Sequence, residues 1–346
     1  MNKYPKIEFH ILQSFPVSCL NRDDLGSPKT CLIGGVNRAR VSSQCWKRAV
    51  RMQLHELGVN LGIRSKKIAD ILRSKMLERG ASEEVAAESA EKISAFLSDD
   101  SLIFLSSDEY QDLVDYAESK QWNSGEYKDK EVQKLIKKLH TKGLNGLDIA
   151  LFGRMVAKAP VMNVEAAASF SHAFSTHSVN NELDFFTALD DVKDEMGSAH
   201  MGSSEFTSAT YYRYISLDVQ QLCDTLGIES DADLQHAIES FVKALYLAVP
   251  TARQATMSAS NLWDFARVYV RNGQRMQCTF ERPVKAAREG GYLEESIKVL
   301  KNELDHKEAI SGSLFGKIAS FEFGETNSLS IDELIQSISK AVLERA

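Results

Sequence analysis

A change of periodicity partway along the chain constrains the fold most. Across residues 63–142 the apolar side chains recur at helical spacing and strand signals are scarce. Ile68, Ile71, Leu72 and Met76 form one stripe. Val85, Ala86, Ser89, Ile93 and Phe96 form a second, and Val132, Leu135, Ile136 and Leu139 a third. A loop at Asn123-Ser124-Gly125 separates two of these helices. On both sides of this block the pattern is mixed. Ile7, Phe9 and Ile11 alternate with Glu8, His10 and Leu12, as in a mostly buried strand. Residues 206–214 and 265–270 also read as strands, with Asn272-Gly273 as a hairpin turn. Residues 234–247 and 331–343 read as helices. A length of 346 residues exceeds a usual single core. The expectation is an α+β fold with a helical insertion, its sheet closed by late sequence.

Between Leu25 and His55 there are six cations, Lys29, Arg38, Arg40, Lys47, Arg48 and Arg51, and no acid. The formal net charge of the whole chain is -7, so this block runs against its background. Alternation in Arg38-Ala39-Arg40-Val41 puts both arginines on one face of an extended segment. Ser42 or Ser43 then caps a helix that ends near Leu57, with Gly58 as its stop. Trp46, Ala49, Val50, Gln53, Leu54 and Leu57 form its core face, and Lys47, Arg51 and His55 its basic face. A helix start offers free N–H groups and a positive dipole end to an anion. Gln44 adds a polar group, and Gly34-Gly35 permits close approach of a phosphate or a sharp turn. A solvated basic helix face is the plainer alternative. The clustering, the missing acids and the cap together favour a phosphate-binding surface for a nucleic-acid backbone.

Other features narrow the field. Five widely spaced cysteines without a Cys-x-x-Cys pair favour reduced thiols in a cytoplasmic protein. No apolar run approaches the roughly 20 residues of a membrane span, and no signal-peptide core follows Met1, so no membrane partner is expected. Asn21-Arg22-Asp23-Asp24 holds two carboxylates, few for a metal site, and turn capping is the better reading. His172 and His177 form no recognisable metal motif, so neither metal nor cofactor is expected. The stretch 182–205 is acidic and punctuated by glycine. Its adjacent Phe185 and Phe186 cannot both face inward on a strand, so either one is exposed, to wedge between bases or pack on a partner, or both sit in the core of a loop.

Several blocks resemble one family. They are 18–24 (Ser-Cys-Leu-Asn-Arg-Asp-Asp), Gly34-Gly35 through Arg51, and 148–155 (Asp-Ile-Ala-Leu-Phe-Gly-Arg-Met). Residues 184–191, then 197–202 (Gly-Ser-Ala-His-Met-Gly), and Tyr211-Tyr212-Arg213-Tyr214 continue the series. In this order they resemble CasC, the guide-RNA backbone subunit of the type I-E CRISPR Cascade complex. The resemblance implies a modified RRM-like (ferredoxin-like) palm with a large helical insertion as fingers and a protruding hairpin thumb. Palm segments would be 1–60, 146–181 and 207–346, with fingers at 61–145 and the thumb at 182–206. By motif position Arg22, Lys29, Ser42, Gln44, Lys47, Arg48 and Arg51 would contact the guide backbone, with Arg38 and Arg40 beside them. Met155, Phe185, Phe186 and Leu189 would hold or interrupt the base stack, and His200 joins the RNA-binding set.

The implied function is non-catalytic. Copies would stack head to tail along the guide RNA, grip phosphates, and present bases for pairing with target DNA beside other Cascade subunits. The alternative is a metal-dependent RNA-cleaving backbone subunit of the type III kind, with Asp23 or Asp24 as the acid.

Overall fold

The computed structural model describes residues 3–97, 101–139, 143–189, 198–324 and 329–344; the side chains of residues 188, 189 and 198–200 are also outside the description. The chain begins with β1 (Lys6–Ser18), β2 (Thr30–Ile33), β3 (Val36–Val41) and α1 (Ser43–Glu56). A mainly helical stretch follows: β4 (Ile63–Ser65), α2 (Ile68–Glu78), α3 (Glu83–Leu97), β5 (Ile103–Leu105), α4 (Ser107–Ser119), α5 (Asp129–Ile136) and α6 (Leu147–Phe152). Strands return with β6 (Ala168–Phe170), β7 (Ala173–Ser175), β8 (Glu182–Leu189) and β9 (Ser198–Asp218). The remainder comprises α7 (Val219–Leu226), α8 (Asp231–Leu247), α9 (Gln254–Met257), β10 (Phe265–Arg271), α10 (Leu293–Ser311), β11 (Lys317–Phe323) and α11 (Ile331–Leu343).

Two compact units result. One comprises Met1–Gln53, Phe170–Ser216 and Val242–Ala346; the other comprises Leu54–Ser169 and Leu217–Phe241. The expected insertion at 61–145 lies within the second unit, which extends to Ser169 and also takes in Leu217–Phe241.

The first unit is built on a sheet ordered β11-β10-β1-β9-β7-β3-β2, with β8 also pairing with β9. Register is antiparallel in β1–β10, β10–β11, β2–β3, β3–β7, β7–β9 and β8–β9. Strand alternation sends successive side chains to opposite faces, and both faces are covered. One buries Phe15, Ala39, Val41, Tyr211 and Trp46 of α1. The other buries Leu12, Phe174, Tyr212, Tyr214 and Tyr269 under Leu300 and Leu304 of α10 and under a strap that carries Cys278, Phe280 and Val284. Tyrosines staple the strap down: Tyr214 Oη accepts the N–H of Met276 at 3.1 Å, and Tyr212 Oη that of Cys278 at 3.0 Å.

The strap overturns one sequence expectation. Asn272-Gly273 is not a hairpin turn. β10 pairs with β11, with Ala266 opposite Phe323 and Val270 opposite Ala319, and the strap and α10 intervene. Asn272 N–H donates to Gly316 O at 2.8 Å, so the turn partner is remote in sequence.

The second unit has one core of helical stripes, with Ile68, Leu72, Met76, Ile93, Leu113, Val132 and Ile136 buried. Helix α4 joins it through Tyr110, Leu113, Val114 and Ala117 and opens with a capping box, in which Ser106 Oγ accepts the N–H of Glu109 and Glu109 Oε2 accepts that of Ser106. Within the block expected to be helical, Ile63–Ser65 and Ile103–Leu105 pair as a short antiparallel ladder, with α2 and α3 between them in sequence. Among the described residues no helix is long and apolar enough to cross a membrane.

Candidate functional site

The start of α1 is over-braced. Ser42 Oγ accepts the N–H of Cys45 at 3.3 Å, and Ser42 N–H donates to Asn21 Oδ1 at 2.9 Å. Asn21 in turn accepts the Lys29 N–H at its carbonyl, and the Lys29 carbonyl accepts the Arg40 N–H. Asp23 holds the intervening turn, its Oδ1 accepting the N–H groups of Leu25 and Ser27 at 2.9 Å each. The first-turn N–H groups of Ser43 and Gln44 have no partner among the described residues.

Cations gather around this point. Arg22 and Arg48 are exposed and Lys29 is half-buried. Lys47 is half-buried, its ammonium 5.9 Å from the Phe170 ring centroid, and burial lowers its pKa. None of these four forms an ion pair among the described residues. Gln44 is exposed and Arg51 half-buried. Arg40 donates from Nε to Thr30 O and lies 3.3 Å from His172 Nδ1. Burial, then Arg40 and Lys29, hold the His172 pKa below its ordinary value. Two clefts flank the helix start. Arg22, Arg48 and Arg253 line one of about 610 Å³. Arg40, Ser43, Phe170 and His172 line another of about 520 Å³.

One expectation about the basic block is corrected, and of the two roles open to Gly34-Gly35 the sharp turn is the one realised. Arg38 shares a strand face with Arg40, yet it is 0% exposed. Its guanidinium donates to the carbonyls of Ser175 (2.8 Å), Phe280 (3.0 Å) and Glu281 (3.4 Å). The strap covers Arg38 and turns it into a structural clamp, away from solvent, with its Nε buried and without a hydrogen-bond partner. Gly34-Gly35 is the two-residue turn between β2 and β3, with φ of 59° and 77°. A Cβ at Gly34 would stand 1.9 Å from Glu281 O, so the close approach is to the strap and not to a phosphate.

The acidic stretch forms a hairpin. Phe185 lies opposite Ser203, and Phe186 opposite Gly202. Both rings are exposed, Phe185 at 61% and Phe186 at 43%, although they point to opposite faces. A Cβ at Gly202 would sit 2.5 Å from the Phe186 ring, so the missing side chain makes room for it. Leu189 and His200 belong to β8 and β9, but their side chains lie outside the described residues, as do residues 190–197 with their acids. In the other unit Met155 is 78% exposed. Its neighbours pin it there: Arg154 makes a buried ion pair with Glu109 (2.6 Å), and Val156 N–H donates to Asn163 Oδ1.

Sequence reasoning missed two residues of the first unit. Arg213 lies buried with its guanidinium 3.5 Å from the Trp46 ring centroid and Nη1 2.5 Å from Gln13 Oε1. Burial without an acid lowers its pKa to about 9. It stiffens the sheet beneath α1. Arg253, beside Arg22 and Arg48, belongs to no motif, and only its backbone conformation (φ 55°) distinguishes it. Among the described residues no cluster of three His, Cys, Asp or Glu side chains has metal-site spacing.

Comparisons place the chain among known proteins. A family model described as CT1975-like protein matches residues 7–335. A solved chain of a "CRISPR RNA-guided surveillance complex, pre-nicking" is 25% identical, with TM-score 0.84 over 97% of this chain and 100% of that one. A chain of a "CRISPR RNA-guided surveillance complex" is 24% identical, with TM-score 0.64 over 97% and 99%. No curated protein matches.

Proposed function

The chain belongs to the CT1975-like protein family, and from that premise we propose that it is the guide-RNA backbone subunit of a CRISPR surveillance complex of the type I-E kind. The observation that carries this is the capped start of α1. Arg22, Lys29, Lys47 and Arg48 surround it without acid partners, in a chain of net charge -7. Such a surface grips phosphates whatever the base sequence and leaves base edges for pairing with target DNA. Likeness to chains of RNA-guided complexes supports the same reading.

The sheet unit acts as an RRM-like palm, but its sheet faces are covered by α1 on one side and by the strap and α10 on the other. RNA therefore runs along the rim at α1 and not over the sheet aromatics. The β8–β9 hairpin is the thumb. Phe185 and Phe186 break the base stack and dock on the next copy, which gives a head-to-tail ribonucleoprotein oligomer in the cytoplasm beside other subunits. The subunit is non-catalytic. Asp23 is occupied in capping its turn, and arginines surround it where an acid-held metal would meet charge repulsion.

Expression with a CRISPR array tests this. The protein should purify with small RNA of one length, in particles whose mass grows when the guide is lengthened. An RNA-free monomer under those conditions would end the proposal.

A further inference from the structure

The cleft lined by Arg253 contains more cation than the basic block alone supplies. It lies between the loop 20–26, α1 and the segment 250–253. Arg48 reaches it from the block and Arg22 from the loop just before it; Arg253 arrives from about 200 residues away in sequence. The Arg253 Nε is buried with no hydrogen-bond partner, and the guanidinium makes no hydrogen bond or ion pair among the described residues. Arg22 and Arg253 both act on the nearby Cys19 thiol, opposing the rise that burial imposes. Of the two acids on the cleft, Asp23 already accepts two backbone N–H groups.

The backbone is arranged to keep Arg253 there. It sits at φ 55°, and Ser258, at the other end of α9, at φ 52°. Side-chain-bearing residues adopt this conformation at a cost, and it persists only where the surroundings enforce it. Gln254 does so: its Nε2 donates to Pro250 O (2.9 Å) and Ala259 O (3.2 Å), and its Oε1 accepts the Ser260 hydroxyl (3.1 Å). A glycine at 253 would relieve the strain; an arginine there retains it.

We propose that this cleft seats the phosphodiester backbone of the bound RNA strand, with Arg253 adding one phosphate contact beside those of Arg22 and Arg48. This deepens the guide-backbone reading and rests on it. Guanidinium forks match the paired oxygens of a phosphate, and three of them around one cleft select an anion. The unpaired Ser43 and Gln44 N–H groups at the adjacent helix start continue the same anionic path. The segment 250–260 is then a clip that closes the backbone grip from the far end of the chain.

The test uses the full chain and a labelled single-stranded RNA in a salt titration, with melting curves alongside. Arg253→Ala should weaken binding by about tenfold and reduce the log–log salt slope by about 0.7, one phosphate contact on a single strand. Arg253→Lys should recover the slope but not the full affinity, because charge returns without the fork. Arg253→Gly should bind as weakly as the alanine variant while melting no lower than wild type. A Lys29→Met/Lys47→Met variant, away from the cleft, reports the parent reading separately. If that variant weakens RNA binding while Arg253→Ala changes neither affinity nor slope, the phosphate seat is refuted and the guide-backbone reading stands. If neither variant has an effect, both fall. Lost affinity at unchanged slope, a glycine variant that melts lower, or a glutamate-rich peptide that occupies the cleft in preference to RNA would each overturn the proposal.

Discussion

The salt dependence of RNA binding is the most direct consequence of the cation arrangement. Arg22, Lys29, Lys47 and Arg48 have no acid partners among the described residues, so each is available to neutralise one phosphate. These four contacts on a single strand contribute about -2.8 to the slope of log affinity against log salt. Affinity should then drop at least about 50-fold between roughly 50 and 200 mM salt. Lys29→Met/Lys47→Met removes two contacts, which makes the slope shallower by about 1.4 and the drop about 7-fold smaller over the same range. Methionine is the suitable replacement because Lys47 is half-buried with its ammonium 5.9 Å from the Phe170 ring centroid, and an apolar chain of similar length fills the same space without the charge. Fluorescence anisotropy on two unrelated RNA sequences measures it. Both sequences should lose affinity equally, since phosphate contacts carry no base information. An unchanged slope in the double variant, or a loss confined to one sequence, refutes the assignment of α1 as the backbone grip.

Three further outcomes follow from the geometry. Phe185→Ala/Phe186→Ala removes two exposed rings, so melting should shift by less than about 1 kcal/mol while ordered particles on RNA fail to form; normal particles by sedimentation would contradict the wedge role. His10 is fully buried against Tyr212, with its pKa lowered to about 3 by burial and then by Arg271, Arg267 and Lys307. Its unfolded form gains a proton near pH 6.5 while the native form does not, so stability declines as pH falls from 6.5 toward 3, by up to about 1.4 kcal/mol per pH unit. Denaturant titrations of His10→Gln should lack this component; an identical pH profile would exclude it. Gly34→Ala should cost at least about 2 kcal/mol, read by the denaturant midpoint, because its Cβ meets the strap carbonyl that Arg38 also holds; a neutral effect would mean the strap is not seated there.

Much of the fold was legible because local rules were strong. The alternation of Ile7, Phe9 and Ile11 marked β1, the serines before Gln44 marked the start of α1, and its apolar face placed Trp46, Ala49, Val50 and Leu54 inside. The last helix runs over Ile331–Leu343 as read, its amphipathic period reinforced by a Ser330–Glu333 capping box. The short strand pair inside the helical block escaped notice because three-residue strands carry no period. At the candidate site the cations at α1 were visible as a run. Arg253 was not, since a left-handed backbone angle at an arginine leaves no trace in composition.

Order along the chain was therefore enough to specify the α+β class, the helical block, the core face of α1 and the concentration of positive charge. Burial of an individual cation was not specified at that level. Arg38 and Arg40 share a face and a residue type, yet the strap covers only the first. The partner of β10 and the arrival of Arg253 at the cleft have the same origin. Each depends on which distant backbone carbonyl or side chain comes to rest against it, and periodicity records only neighbours a few residues away.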